Sequence, residues 1–83
     1  MKEKSKLNKQ FDKQFGEYVK KKRESKGWTQ PDLATRMGNN FQNISSLERG
    51  ETTPTIFWCY KLAQAFEMDL IDILKEVDFK LKK

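Results

Sequence analysis

The segment from Gln30 to Gly50, QPDLATRMGNNFQNISSLERG, constrains this chain more than any other. Ala34 follows Gln30 by four residues and Gly38 follows Ala34 by four, with Ile44 and Leu47 continuing at helical spacing. That pattern describes two short helices joined by a tight glycine turn, a geometry that pushes the later helix outward from the domain. Local signals agree. Thr29-x-x-Asp32 opens the earlier helix as a capping box, with Asp a poorer match than Glu. Pro31 falls in the first turn, where its missing N–H costs nothing. Leu33, Ala34 and Met37 form an inner face, and Gly38 supplies the positive φ of the turn. Asn40 is the expected N-cap of the later helix, which runs from about Phe41 to Arg49. Ile44, Leu47 and Glu48 then point inward, and Phe41, Gln42, Ser45, Ser46 and Arg49 share the opposite face.

The flanks are helical too. Phe11, Phe15, Tyr18, Val19 and Lys22 keep the spacing of an amphipathic helix over residues 11–26, ended by Gly27. Lys22 falls where an apolar residue would pack, so its stem is expected on the core with the ammonium in water. Residues 1–10, MKEKSKLNKQ, carry one apolar side chain beyond Met1 and read as a flexible basic arm. After a loop at Thr52, Thr53 and Pro54, Thr55 caps a helix over about 56–66 and Asp69 one over about 70–78. Ile56, Cys59, Leu62, Ala63, Phe66, Met68, Leu70, Ile73 and Leu74 carry the period there. No strand signal survives. The expected architecture is all-α, five helices, one domain over 11–83.

Composition narrows the chemistry. In 83 residues there is no His and one Cys, Cys59. Four-ligand zinc sites and internal disulfides are therefore excluded. Cys59 reads as a small buried hydrophobe, in keeping with a reducing cytosol. Residues 1–26 hold ten Lys/Arg against four Asp/Glu, residues 27–50 two against two, and residues 51–83 five against six. The basic excess lies at the N-terminus and favours a polyanionic partner. No stretch approaches the roughly 18–20 apolar residues of a membrane span. With no nucleophile–base pair and no phosphate-cradling glycine loop, an enzyme is not expected, and neither is a cofactor. The carboxylates Glu67, Asp69, Asp72, Glu76 and Asp78 lack the spacing of a calcium loop, so no metal is expected.

The series Phe15-Gly16, Arg23, Gly27-Trp28-Thr29-Gln30, Leu33-Ala34, Gly38, Ile44-Ser45, Leu47-Glu48-Arg49-Gly50, Pro54 and Leu62-Ala63-Gln64-Ala65-Phe66 resembles the phage-repressor-like helix-turn-helix family, the lambda repressor and Cro group also called XRE. The resemblance spans about residues 15–74, with the helix-turn-helix itself at about 29–49. It implies a five-helix lambda-repressor-like DNA-binding domain. It further implies that Phe41, Gln42, Ser46 and Asn43 read base edges. Thr29, Gln30, Asn39, Asn40, Ser45, Arg49 and Thr52 are placed for phosphate and sugar contacts. Arg23 and Glu48 resemble the family's internal ion pair.

The base-reading chemistry also follows from the side chains. Gln42 presents an amide that matches adenine N6 and N7, and Phe41 offers only apolar contact, suited to a thymine methyl. A·T-containing half-sites are the expectation. Two departures from the family pattern stand out. Glu51 occupies a loop where many relatives carry Lys or Arg, so it would repel phosphate. Phe57, Trp58 and Ile71 occupy positions that are usually polar, and large apolar groups on a solvent face suggest that another surface covers them. Phe57, Trp58, Ile71, Val77 and Phe79 are the expected homodimer contact, with a rotated fourth helix the alternative for Phe57 and Trp58. The resulting expectation is a cytoplasmic transcriptional regulator, a repressor or autoregulator on a palindromic operator, similar to restriction–modification controllers or short phage repressors. The alternatives are an antitoxin that binds a toxin and represses its own operon, and a protein-interaction module without DNA binding.

Overall fold

Residues 5–38 and 40–82 are described by the structure, a computed structural model. They form five helices: α1 (Lys6–Ser25), α2 (Gln30–Met37), α3 (Phe41–Glu48), α4 (Ile56–Ala65) and α5 (Leu70–Leu81), with no strand among the described residues. α1 packs on α3 and α5, α2 on α3 and α4, and α4 on α5. Phe15 and Val19 of α1, Leu33 of α2, Ile44 of α3, Leu62 of α4 and Ile73 of α5 meet in the centre with no solvent exposure. Each helix thus gives its apolar stripe to one shared core.

The helix boundaries follow short-range chemistry. Thr29, Asn40 and Thr55 each accept a hydrogen bond from the backbone N–H three residues on, at 3.2, 3.0 and 3.0 Å. Each satisfies an orphan donor of the first turn. Gly38 ends α2 in the left-handed region at φ +66°. Asp69 occupies the N-cap position of α5, yet its side chain makes no capping bond.

The start of α1 departs from the sequence expectation. Residues 6–10 are helical, not a flexible arm, because Ser5 caps the helix and accepts from the Asn8 N–H at 3.1 Å. Leu7 then shares a face with Phe11 one turn on, opposite Leu74 and Leu81 of α5. Residues 1–4 lie outside the described residues. α5 is also longer than expected, by a turn. Val77, one turn after Ile73 on its inner stripe, is 2% exposed and belongs to the core, correcting its assignment to a dimer contact. Lys22 behaves as its position suggested: its ammonium sits 3.8 Å from the Glu76 carboxylate and over the Tyr18 ring. Tyr18 is buried beside that same carboxylate, and both effects push its phenol well above its ordinary range. Cys59 is buried, which pushes its thiol up as well.

α4 ends in a Schellman turn, with the Met68 N–H donating to the Ala63 carbonyl at 2.9 Å. The residue that must take positive φ there is Glu67, at +57°. A left-handed conformation costs a non-glycine residue about 1–2 kcal/mol. Glu67→Gly is therefore expected to stabilise the domain by about 0.5–1 kcal/mol after the glycine's extra unfolded-state entropy is deducted. An unchanged or lower urea midpoint would contradict this reading of the turn.

Candidate nucleic-acid interface

α3 is held from behind by a buried polar cluster. The Arg23 guanidinium on α1 donates Nε–H to Glu48 Oε2 at 2.7 Å, Nη2–H to Glu48 Oε1 at 3.0 Å and Nη1–H to the Trp28 carbonyl at 2.7 Å. The Glu48 side chain is only 3% exposed. Its Oε1 also accepts from the Gln30 amide at 3.0 Å, so one carboxylate ties together α1, α2 and α3. The bidentate fork is the geometry in which Arg and carboxylate bind best. The Arg23 charge is correspondingly stabilised, chiefly by the hydrogen bonds it donates to Glu48. On the far side of α2, Trp28 stacks on Phe66 with centroids 5.7 Å apart, and the Arg36 guanidinium lies 4.1 Å over the Trp28 ring.

Gln30 is thus partly committed to structure. At the start of α2 the Thr29 N–H donates to the Asp32 carboxylate at 2.8 Å and the Asp32 N–H to Thr29 Oγ1. Pro31 has no N–H. These bonds hold the Asp32 carboxyl below its ordinary value. They leave the Gln30 N–H and the second proton of its amide as the donors available to a phosphate, fewer than a bare helix N-terminus offers.

The outer face of α3 presents Phe41, Gln42 and Asn43 exposed, with Ser45 and Ser46 half-buried. Asn40 is exposed at its N-terminus, and Asn39 lies outside the described residues. At the C-terminal end Arg49 is engaged: its Nε and Nη2 donate to the Glu51 carboxylate at 2.8 and 3.1 Å, and Nη1 donates to Ser45 Oγ. Two residues expected at phosphate therefore contact each other, and the acidic loop residue faces the arginine. The pairing raises the Arg49 pKa and lowers that of Glu51.

A shallow cavity of about 250 Å³ separates α3 from the following loop, lined by Asn43, Ser46, Leu47, Thr52–Thr55 and Trp58. Trp58 is half-buried and packs on the core beneath this loop, which corrects its placement on a dimer surface. The remaining dimer candidates Phe57, Ile71 and Phe79 are 66, 61 and 64% exposed. Tyr60, at 50%, lies one turn from Phe57. Ile56 and Leu74 also face outward rather than into the core.

Sequence reasoning missed Asp12. Its carboxylate is 1% exposed and accepts from the Thr53 hydroxyl at 2.6 Å, pinning the α3–α4 loop to α1. The signal was available. Asp12 precedes Phe15 by three residues and Val19 by seven, so it is a charged residue on the buried stripe of α1, and such a group demands a partner.

Among the described residues no helix is long and apolar enough to cross a membrane, and no cluster of three His, Cys, Asp or Glu is placed to hold a metal ion.

A buried ion pair behind an outward-facing α3, joined to α2 by a left-handed glycine, defines a helix-turn-helix domain. The chain belongs to the HTH_3 helix-turn-helix family, whose pattern matches residues 19–73. An HTH-type transcriptional regulator of Sinorhizobium fredii, y4dJ, is 39% identical over 56 residues, spanning 68% of this chain and 73% of that protein. Among solved structures, the wild-type restriction–modification controller protein C.Esp1396I superposes with a TM-score of 0.78 at 25% identity, over 88% of this chain and 94% of its own. The controller protein C.AhdI from Aeromonas hydrophila gives 0.71 at 26% identity, over 75 and 94%. The clp gene regulator ClgR from Corynebacterium glutamicum shares the fold, with a TM-score of 0.77 at 22% identity over 87 and 77%.

Proposed function

We propose that this protein is a transcriptional regulator that binds duplex DNA through α3 and acts as a homodimer on a two-fold symmetric operator, repressing its own promoter. The observation that carries this reading is the exposed Phe41–Gln42–Asn43 face on a helix locked from behind by Arg23 and Glu48. A rigidly held helix with short polar and aromatic side chains outward suits the major groove, where base edges are distinguished. Gln42 pairs with adenine and Phe41 packs on a thymine methyl, with Ser46 and Asn43 completing the reading face. Phosphate contacts come from Asn40, Ser45, Thr52, the Gln30 amide and N–H, and Arg49 once it leaves Glu51.

The dimer surface is built from the outer faces of α4 and α5, with Phe57, Tyr60, Ile71 and Phe79 at its centre. Exposed aromatic and branched side chains of this size are the residues that dimer interfaces bury. Two α3 helices related by a two-fold axis reach successive major grooves, so half-site centres lie about one helical turn apart, roughly 10 bp. The similarity to two restriction–modification controller proteins supports this arrangement. A toxin seated on the same apolar surface is the competing reading, favoured by those same exposed residues. A stable dimer in the absence of any partner distinguishes the two.

The test is base-specific. On a site selected from randomised duplexes, Gln42→Ala is expected to lose about 1–3 kcal/mol of binding free energy, with little change on random DNA. Equal losses on both would show that Gln42 does not read a base.

A further inference from the structure

We propose that Glu51 is an internal competitor for the DNA phosphate that Arg49 binds, so that the cation at the C-cap of α3 is held in reserve until the protein meets its operator. This rests on the duplex-binding reading above. Its basis is the turn that follows α3. The Gly50 N–H donates to the Leu47 carbonyl at 2.9 Å and the Glu51 N–H to the Ser46 carbonyl at 3.0 Å, the two bonds of a Schellman turn. The turn requires φ +75° at Gly50, which glycine alone adopts at no cost. It reverses the chain so that the Glu51 side chain returns alongside Arg49. The two carboxylate oxygens then take the Nε and Nη2 protons, the same fork that a phosphate would engage.

Charge distribution makes this pairing consequential. Residues 27–50 contain two cations, Arg36 and Arg49. Arg36 lies over the Trp28 ring, so Arg49 is the one at the end of the recognition helix. Both Arg49 and Glu51 are more than half exposed, at 56 and 54%, so the pair is weak and exchangeable. Sequence-independent affinity comes from neutralised phosphates. On random DNA, Arg49 stays with Glu51 and contributes nothing to it. On the operator, base contacts seat α3 deeply enough for phosphate to displace the carboxylate. Glu51 therefore lowers affinity for random DNA more than for the operator, and it raises specificity by that difference.

The experiment is a double-mutant cycle of wild type, Glu51→Gln, Arg49→Gln and the double variant. Binding is measured on random and selected duplexes across a salt series. Glu51→Gln is expected to tighten random-duplex binding by about two- to fivefold, the scale of an exposed ion pair. It should also steepen the salt slope by about 0.9, one further phosphate. The gain should be smaller on the selected site and vanish in the Arg49→Gln background. An equal gain with Arg49 absent would mean that Glu51 merely repels DNA, and no gain in either background would mean that the pair is inert; each overturns the proposal. If none of the four proteins binds any duplex, the duplex-binding reading fails and takes this proposal with it.

Discussion

Gly16→Ala is expected to lower the thermal midpoint by about 12–24 °C, a loss of about 3 kcal/mol in a domain of this size. A β-carbon on Gly16 would stand 2.4 Å from the Leu47 carbonyl oxygen and 2.7 Å from that of Glu48. Both obstacles are backbone of the last turn of α3, so no side chain can swing aside. Accommodation would require α1 and α3 to separate, which would open the Phe15, Val19 and Ile44 core and strain the Arg23–Glu48 bridge beside it. The consequence reaches function, because α3 is the helix that must be presented. Thermal unfolding of Gly16→Ala beside the exposed α1 variant Lys20→Ala checks this. The control is expected to stay within about 0.5 kcal/mol of wild type. A Gly16→Ala protein equally close to wild type would mean that the helices approach less tightly than described.

Arg23→Met is expected to cost about 3–5 kcal/mol, comparable with the whole stability of many small domains. The loss arises from what remains. Glu48 would keep a buried carboxylate with the Gln30 amide as its neutral donor, and the Trp28 carbonyl would lose its partner at 2.7 Å. The double variant Arg23→Met/Glu48→Met is expected to recover much of the stability, since replacing both halves of a buried pair with apolar side chains removes the desolvation cost along with the attraction. Urea denaturation of the three proteins separates these outcomes. A double variant no better than the single would show that the pair itself, and not the stranded charge, carries the energy. The double variant should still bind DNA poorly, because Gln30 and α3 lose their shared anchor.

Much of this was legible in the residues, for reasons that differ from place to place. The caps at Thr29, Asn40 and Thr55 act over three residues, so local sequence suffices to place them. The Arg23–Glu48 pair spans twenty-five residues and was reached through family resemblance, then found with short bidentate geometry. What escaped depended on tertiary detail. Val77 and Phe79 both alternate with charged residues in the C-terminal segment. Only the register of α5 against α1 decides that Val77 enters the core while Phe79 faces out. Trp58 was assigned to the surface by family pattern, but here the α3–α4 loop lies against it. Ser5 lies in a polar stretch that reads as an arm by composition, and its capping bond to the Asn8 N–H appears only in the folded chain. Glu51 was read as a charge near phosphate. Its partner Arg49 emerges only from the reversal at Gly50.

The most direct test of the central claim is fluorescence anisotropy of the protein on its own upstream DNA and on a scrambled duplex of equal length, at two salt concentrations, with stoichiometry determined at saturation. The expected result is tight binding to the native fragment alone, two protomers per site, weakening steeply as salt rises. Equal and weak binding to both duplexes, or none to either, would contradict sequence-specific regulation through α3 and turn attention to a protein partner at Phe57 and Ile71.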